Sequence, residues 1–498
     1  MRQFFLLLIF NIEIAIDFSL TQAMFPRRTA IKINAQKEYD SEALQTASAE
    51  GNEKLVQVLL DRGAEVNAQG EAYNNALQAA SLRGHKKVVQ ILLDRGADVN
   101  AQSEHYGNAL QAASWKGHEK VMQILLDRGA EINAQGEYHG NALQAASLNG
   151  HEKVMQVLLD RGAEINAQGG FFGNALQAAA LRGHKKVVQV LLNRGAEINA
   201  QGESFGNALQ AASFNDHEEV IQVLLDRGAE VNAQGGHYGN ALQAASRGGH
   251  EKVMQVLLDR GAEVNAQDRH FGNALQTTSR KGHEKVMQVL LDRGAKVNAQ
   301  GGHYGNALQA ASRGGHEKVV QVLLDRGAEV NAQGGYHGNA LQAAASEGHE
   351  KVTQVLLGRG AEVTAQGGDS SNVLQAASAG GHKKVIRRLL DTEAEVNAQD
   401  GGYNNALQAA SYASPVIIAP TGYAEAGIGP TPTTLRATID QGYIGPVQKI
   451  LDRRFDTVAL ADFEWLRDLQ ELGYASEEIA ELLDLRDTIL PGSALSHI

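Results

Sequence analysis

The chain has 498 residues, no cysteine and a formal charge of −12. The missing cysteines exclude a disulfide framework, thiolate zinc sites and a cysteine nucleophile. Six Lys/Arg and thirteen Asp/Glu follow Ser411, so the rest of the chain is only mildly acidic, which argues against a general nucleic-acid or anionic-membrane role.

The first 40 residues form an extension. Arg2 precedes FFLLLIF, and Thr21-Gln22-Ala23 resembles a small-residue cleavage site, the pattern of a secretory signal. Asn11, Glu13 and Asp17 interrupt the apolar stretch and rule out a clean membrane span. Ile12, Ile14, Ile16, Phe18 and Leu20 alternate as in a half-buried strand. The favoured expectation is a capping element or a gene-model artefact, with secretion as the alternative.

From Leu44 to Leu407, twelve leucines stand 33 residues apart without insertion or deletion. A fixed period of this length means one small unit stacked many times. In the unit around Leu110, Asn108 is placed to cap a short helix, ALQAAS, whose alanines allow close packing. Gly117 can end that helix in the left-handed conformation. His118-Glu119-Lys120 opens a second helix, and Val121, Ile124 and Leu125 share one face. Arg128-Gly129 closes it. Residues 131–135 read as extended, and a glycine-rich hairpin then turns the chain.

The run GH-x-x-VV-x-VLL-x-RGA-x-VNAQ resembles the ankyrin repeat. The likeness covers residues 41–411, eleven full 33-residue units plus the first helix of a twelfth. It implies an all-α solenoid of stacked helix-turn-helix ankyrin repeats with short β-hairpin connections. Two departures are systematic. Each unit reads Asn-Ala-Leu-Gln where ankyrin units usually read Thr-Pro-Leu-His, and a glycine follows the hairpin aromatic, as in Tyr106-Gly107.

Sixteen of the seventeen histidines fall in two columns of the repeat. Ten follow the turn glycine, from His85 to His382, and six lie in the hairpins. Equivalent residues in adjacent units stand about one helix diameter apart, roughly 10 Å, too far for two imidazoles to share one zinc ion. The expected role of the first set is to satisfy turn backbone or start the second helix. No Ser-His-Asp set or phosphate-binding loop stands out. No catalytic residue, cofactor or metal site is expected.

Function is sought where the copies differ. Eleven of the thirteen aromatic residues between Tyr73 and Tyr403 lie in two adjacent hairpin columns. Those marked for partner binding are Tyr73, Tyr106, Tyr138, Phe171, Phe172, Phe205, Tyr238, Phe271, Tyr304 and Tyr336. They read equally as anchors for a protein partner or as a ladder that stiffens adjacent hairpins. The second variable position is the end of the first helix, which borders the concave groove in ankyrin proteins. It holds Leu82, Trp115, Leu148, Leu181 and Phe214, then Arg247, Arg280 and Arg313. An exposed apolar stripe of this size marks an interface; the alternative is packing onto the hairpin of the same copy. The binding reading implies a protein segment with an apolar part and an acidic part.

Weak units also show. Asp216 replaces a turn glycine, Glu393 replaces the glycine after a second helix, and Thr364 replaces a hairpin asparagine. Residues 360–400 are expected to be the softest. A proline- and glycine-rich linker spans 412–433, and residues 434–459 align without a gap on the repeat as a decayed capping unit. Residues 460–490 read as a helical hairpin resembling the ending of fungal ankyrin proteins, including NACHT-ankyrin receptors, and faintly a ubiquitin-associated domain.

The chain is therefore expected to be a non-enzymatic protein-interaction scaffold, monomeric and cytoplasmic, without a membrane span. The alternative is an adaptor or substrate receptor, for example ubiquitin-linked, working through residues 460–490.

Overall fold

The computed structural model describes residues 39–392, except 71–73, 104–106, 137, 203, 269–271, 366 and 368–371. Outside the described residues lie the extension up to residue 38, Glu393, the first helix of the twelfth unit, the linker, the decayed unit and the C-terminal helical hairpin. The chain divides after Ala409, and every described residue belongs to the first unit.

The described residues form 22 helices and no strand, arranged as eleven helix pairs. The first pair is α1 (39–50) and α2 (Glu53–Asp61). A middle pair is α9 (Ala175–Leu181) and α10 (Lys185–Asn193), and the last is α21 (Val373–Ala379) and α22 (Lys383–Leu390). First helices pack on first helices of neighbouring copies through their alanines, which are almost without exposure throughout the stack. The leucine column from Leu44 to Leu374 lies buried in one continuous core with the Val and Leu face of the second helices. A helix of seven to nine residues does not persist alone in water; here each is held by the apolar face of its neighbours.

Four side-chain columns tie successive copies together, and the asparagine-to-glutamine departure is the strongest. Asn108 Oδ1 accepts from the Gln111 amide at 3.0 Å, and Gln111 Oε1 accepts in return from the Asn108 amide, a reciprocal cap. The same Gln111 side chain donates from Nε2 to Ala134 O at 2.9 Å and to Gly140 O in the next loop. One buried amide thus closes its own helix and fastens the following loop. This accounts for the glycine after the aromatic column. Gly107 has φ +69°, and a Cβ there would run into the Gln111 amide.

The histidine column does not cap its own helix. His151 opens its second helix without a side-chain cap bond, and its Nε2 lies 3.0 Å from Trp115 O in the preceding copy. A carbonyl only accepts, so Nε2 is the donor of this bond. The bond recurs at all ten turn histidines, from His85 to Ala49 O through His382 to Ser346 O. Each ring covers the turn glycine of the copy before: a Cβ on Gly117 would stand 2.5 Å from His151 Nδ1. Asp216 takes that glycine's place with φ +61° and sets its carboxylate 3.7 Å from His250 Nδ1.

The asparagine and aspartate columns complete the ties. Asn133 Oδ1 accepts from the Glu164 amide at 2.9 Å, a step repeated from Asn67 through Asn331. Thr364 stands where the next asparagine would be. Arg161 pairs with Asp127 at 3.1 Å and Arg194 with Asp160 at 2.8 Å. Such exposed pairs contribute little each, about 0–1 kcal/mol. Asn193 stands where the next aspartate would be, so Arg227 lacks that pair.

Two local expectations are corrected. Residues 131–135 form a tight turn rather than an extended segment, closed by the Ala134 amide on Glu131 O at 3.2 Å. The hairpins shrink to single antiparallel pairs, as between Gly136 and Gly140. With Gln111 already holding the loop base, no strand ladder is needed there. No described helix is long and apolar enough to cross a membrane.

Candidate protein-binding surface

The first-helix ends and the loop tips lie against each other, because each loop lands beside the end of the helix it follows. The apolar stripe is consequently less open than its sequence suggests. Leu148 is 1% exposed, Leu181 6% and Leu82 8%. Phe172, 6% exposed, folds down from its loop and joins Leu148, Leu181, Ala178 and Ala211 in a second small core. Leu82, Leu148, Leu181 and Phe172 are therefore corrected from exposed contacts to buried supports. Tyr73, Tyr106 and Phe271 lie outside the described residues.

Around this small core the remaining predicted residues are half-exposed and touch one another. Trp115 packs on His139 at 4.0 Å between ring centroids. Tyr138 stacks on Phe171 at 6.3 Å, Phe171 meets Phe205 edge-on at 5.6 Å, and Phe205 approaches Tyr238 at 6.3 Å. Phe214 stacks on Tyr238 at 4.5 Å with 16° between the planes. Each loop ring thus contacts the ring of the next copy, and offset-stacked and edge-to-face contacts are the favoured aromatic geometries.

Past Tyr238 guanidinium groups take over. Arg247 Cζ lies 5.6 Å from the centre of the Tyr238 ring. Tyr304 is flanked by Arg280 at 5.8 Å and Arg313 at 5.6 Å. Arg313 Nε also stands 3.5 Å from Glu347 Oε1. Tyr336 is the most open described residue of the row at 55%, with its ring edge-on to His337 at 5.1 Å. Arg280, Tyr304 and Arg313 repeat the alternation of helix end, loop aromatic and helix end, with basic in place of apolar helix ends.

His139 is a site residue that sequence inspection passed over. It occupies the aromatic column where the other described loops of this region carry Phe172, Phe205 and Tyr238. Burial pushes its imidazole down to about 3. The signal was available: the pair Tyr138-His139 inverts the usual order, so histidine takes the inner position. Among the turn histidines, burial also holds His118, His184, His217, His283, His316 and His349 below the ordinary range, against the raising effect of their carbonyl bonds.

Among the described residues no three His, Asp or Glu side chains converge as metal ligands would.

Comparison with known proteins agrees with the architecture. The family model for ankyrin repeats (3 copies) matches residues 17–103, 44–136, 102–169, 143–235, 176–268, 241–334 and 281–367. Among solved structures, the chain is similar to the crystal structure of human ASB11 ankyrin repeat domain. The identity is 28% and the TM-score 0.39, over 44% of this chain and 98% of that one. No curated protein matches the chain. The family match runs through most of the sequence and through every described helix pair but the last, and the chain belongs to the ankyrin-repeat family.

Proposed function

We propose that the array is a non-enzymatic scaffold or recognition module. It would hold a protein segment along the strip of first-helix ends and loop tips, the side that borders the concave groove in this family. The observation that carries this is the half-exposed aromatic row from Trp115, through the buried His139, to Tyr138, Phe171, Phe205, Phe214 and Tyr238. Its rings are held by one another and by the buried Leu148, Phe172 and Leu181 beneath them. Preset aromatic surface loses little conformational freedom when a partner docks, and such residues dominate interface energetics.

Trp115→Ala combined with Phe214→Ala removes two rings from the row without touching the buried leucines. Affinity purification from lysate should then lose the proteins captured by the wild-type array, while thermal unfolding still shows a folded stack. Recovery of the same proteins by the double variant would remove this surface from consideration.

A further inference from the structure

We infer that residues 17–28 of the chain's own N-terminal extension cover the upstream face of the array, setting Phe18, Leu20, Met24 and Phe25 against Leu55 and Val58 of α2. This face ends the stack and is separate from the proposed binding strip.

In every later copy the corresponding face is covered by the copy before it. The valine column from Val88 through Val385 is 1% exposed or less. Its counterpart in the first copy, Leu55, is 40% exposed, and Val58 is 51% exposed. The equivalents of Val58, such as Ile91, Ile124 and Val157, pack against the core. Second helices contact the second helices of adjacent copies, so α2 carries the apolar upstream surface of an interior helix. Terminal units of a stack need a polar outer face, and this one is apolar.

The polar ties of the first copy, by contrast, suit an end position. Three bonds that elsewhere reach back one copy are turned inward. Asn52 stands where later copies have the turn histidine, and its Oδ1 accepts from the Leu55 amide at 3.2 Å, capping its own helix. α1 begins about one turn earlier than the first helices that follow. That turn brings Asp40 to 3.5 Å from Arg62, and Ser41 Oγ accepts from the Glu65 amide at 3.1 Å. Interior copies make these two bonds to the aspartate and asparagine of the preceding copy. What the face calls for is therefore apolar side chains.

The extension supplies them at the right distance along the chain. Ile33-Asn34-Ala35-Gln36 stands 33 residues before Val66-Asn67-Ala68-Gln69, so the repeat register continues upstream of Tyr39. In that register residues 20–28 stand one period before α2, and the match to ankyrin repeats begins at residue 17. Residues 18–25 carry no charge and include Phe18, Leu20, Met24 and Phe25. A covalently linked segment meets its face at high effective concentration, which favours it over a second copy of the chain.

The chain has no cysteine, so single introduced thiols report local cover. In the full chain, Val58→Cys should react with a maleimide dye at least about tenfold more slowly than Gln222→Cys, a position exposed on a second helix in mid-array. Adding Phe18→Asp, Leu20→Asp and Met24→Asp should raise the Val58→Cys rate to that of Gln222→Cys. Ser147→Cys, a near-isosteric change at a fully buried position, should stay unreactive with or without the aspartates, because the stack itself remains folded. The inference fails if Val58→Cys reacts as fast as Gln222→Cys, if the aspartates leave its protection intact, or if Ser147→Cys opens in parallel. It fails equally if the protection disappears on dilution, which would make a second copy the occupant.

Discussion

Replacing Gln177 by alanine should lower the stability of the array by about 3–5 kcal/mol, because one side chain carries three hydrogen bonds, two buried and one partly buried. Gln177 Oε1 accepts from the Asn174 amide at 2.7 Å, and Nε2 donates to Ala200 O at 2.9 Å and Gly206 O at 2.7 Å. The residue is almost fully buried, so water cannot take over the Asn174 and Gly206 partners. Each polar group left alone costs about 1–3 kcal/mol. The Gly206 carbonyl keeps its bond from the Gly202 amide at 2.8 Å, which limits the loss. Stacked repeats are stabilised mainly by nearest neighbours, so the damage should concentrate at the junction between the copies of α9 and of α11 (Ala208–Phe214). Urea denaturation followed by circular dichroism should show an earlier midpoint or an added phase. Gln177→Glu keeps the acceptor but sets a buried carboxylate oxygen against the Ala200 and Gly206 carbonyls, and should be at least as destabilising as alanine. A Gln177→Ala transition superimposable on wild type would mean that this column is decorative.

Acidification should destabilise the stack well before carboxylates titrate. His139 has a folded-state pKa pushed down to about 3 from an ordinary 6.5. A base with a depressed folded pKa contributes its full stability above the ordinary value, and loses it as pH falls from 6.5 towards about 3. At pH 5 the unfolded chain binds this proton and the folded one does not, a difference of about 2 kcal/mol for His139 alone. The turn histidines shift in the same direction, because burial disfavours their charged form. Their neutral Nε2–H is the atom that bridges to the preceding copy, so the same groups tie copies together and sense pH. Urea midpoints should fall markedly between pH 7.5 and pH 5, and His139→Leu should remove a measurable share of that fall. An unchanged midpoint across this interval contradicts the account, as does an undiminished fall in His139→Leu.

The repeat period and the leucine column were enough to read the architecture, because both depend on spacing along the chain. Residues 33 apart meet the same surroundings, and helix signals such as Asn108, Gly117 and Val121 act within a few positions. What stayed hidden were contacts between copies. Nothing within one unit says that Gln111 reaches Ala134 and Gly140, or that His151 reaches back 36 residues to Trp115 O. The candidate surface was legible in composition and misread in depth. Leu148 and Leu181 vary among copies in the manner of surface residues, yet Phe172 folds over them. Their variation follows the loop ring they support, and the inverted order of Tyr138-His139 is part of the same adjustment. The change from apolar to basic helix ends keeps the stacking pattern and exchanges its chemistry, as Arg247 on Tyr238 shows.

The central claim is that one strip meets the partner while the second-helix face does not. It is tested most directly by a photo-crosslinking residue, p-benzoylphenylalanine, placed at Tyr238 or at Gln222. Tyr238 is half-exposed between Phe214 and Arg247, and Gln222 is exposed on α12 (Glu218–Asp226). Irradiation of the array with its captured partner should give a crosslinked band from position 238 and none from 222; a band from 222 alone would place the partner on the opposite face and contradict the account.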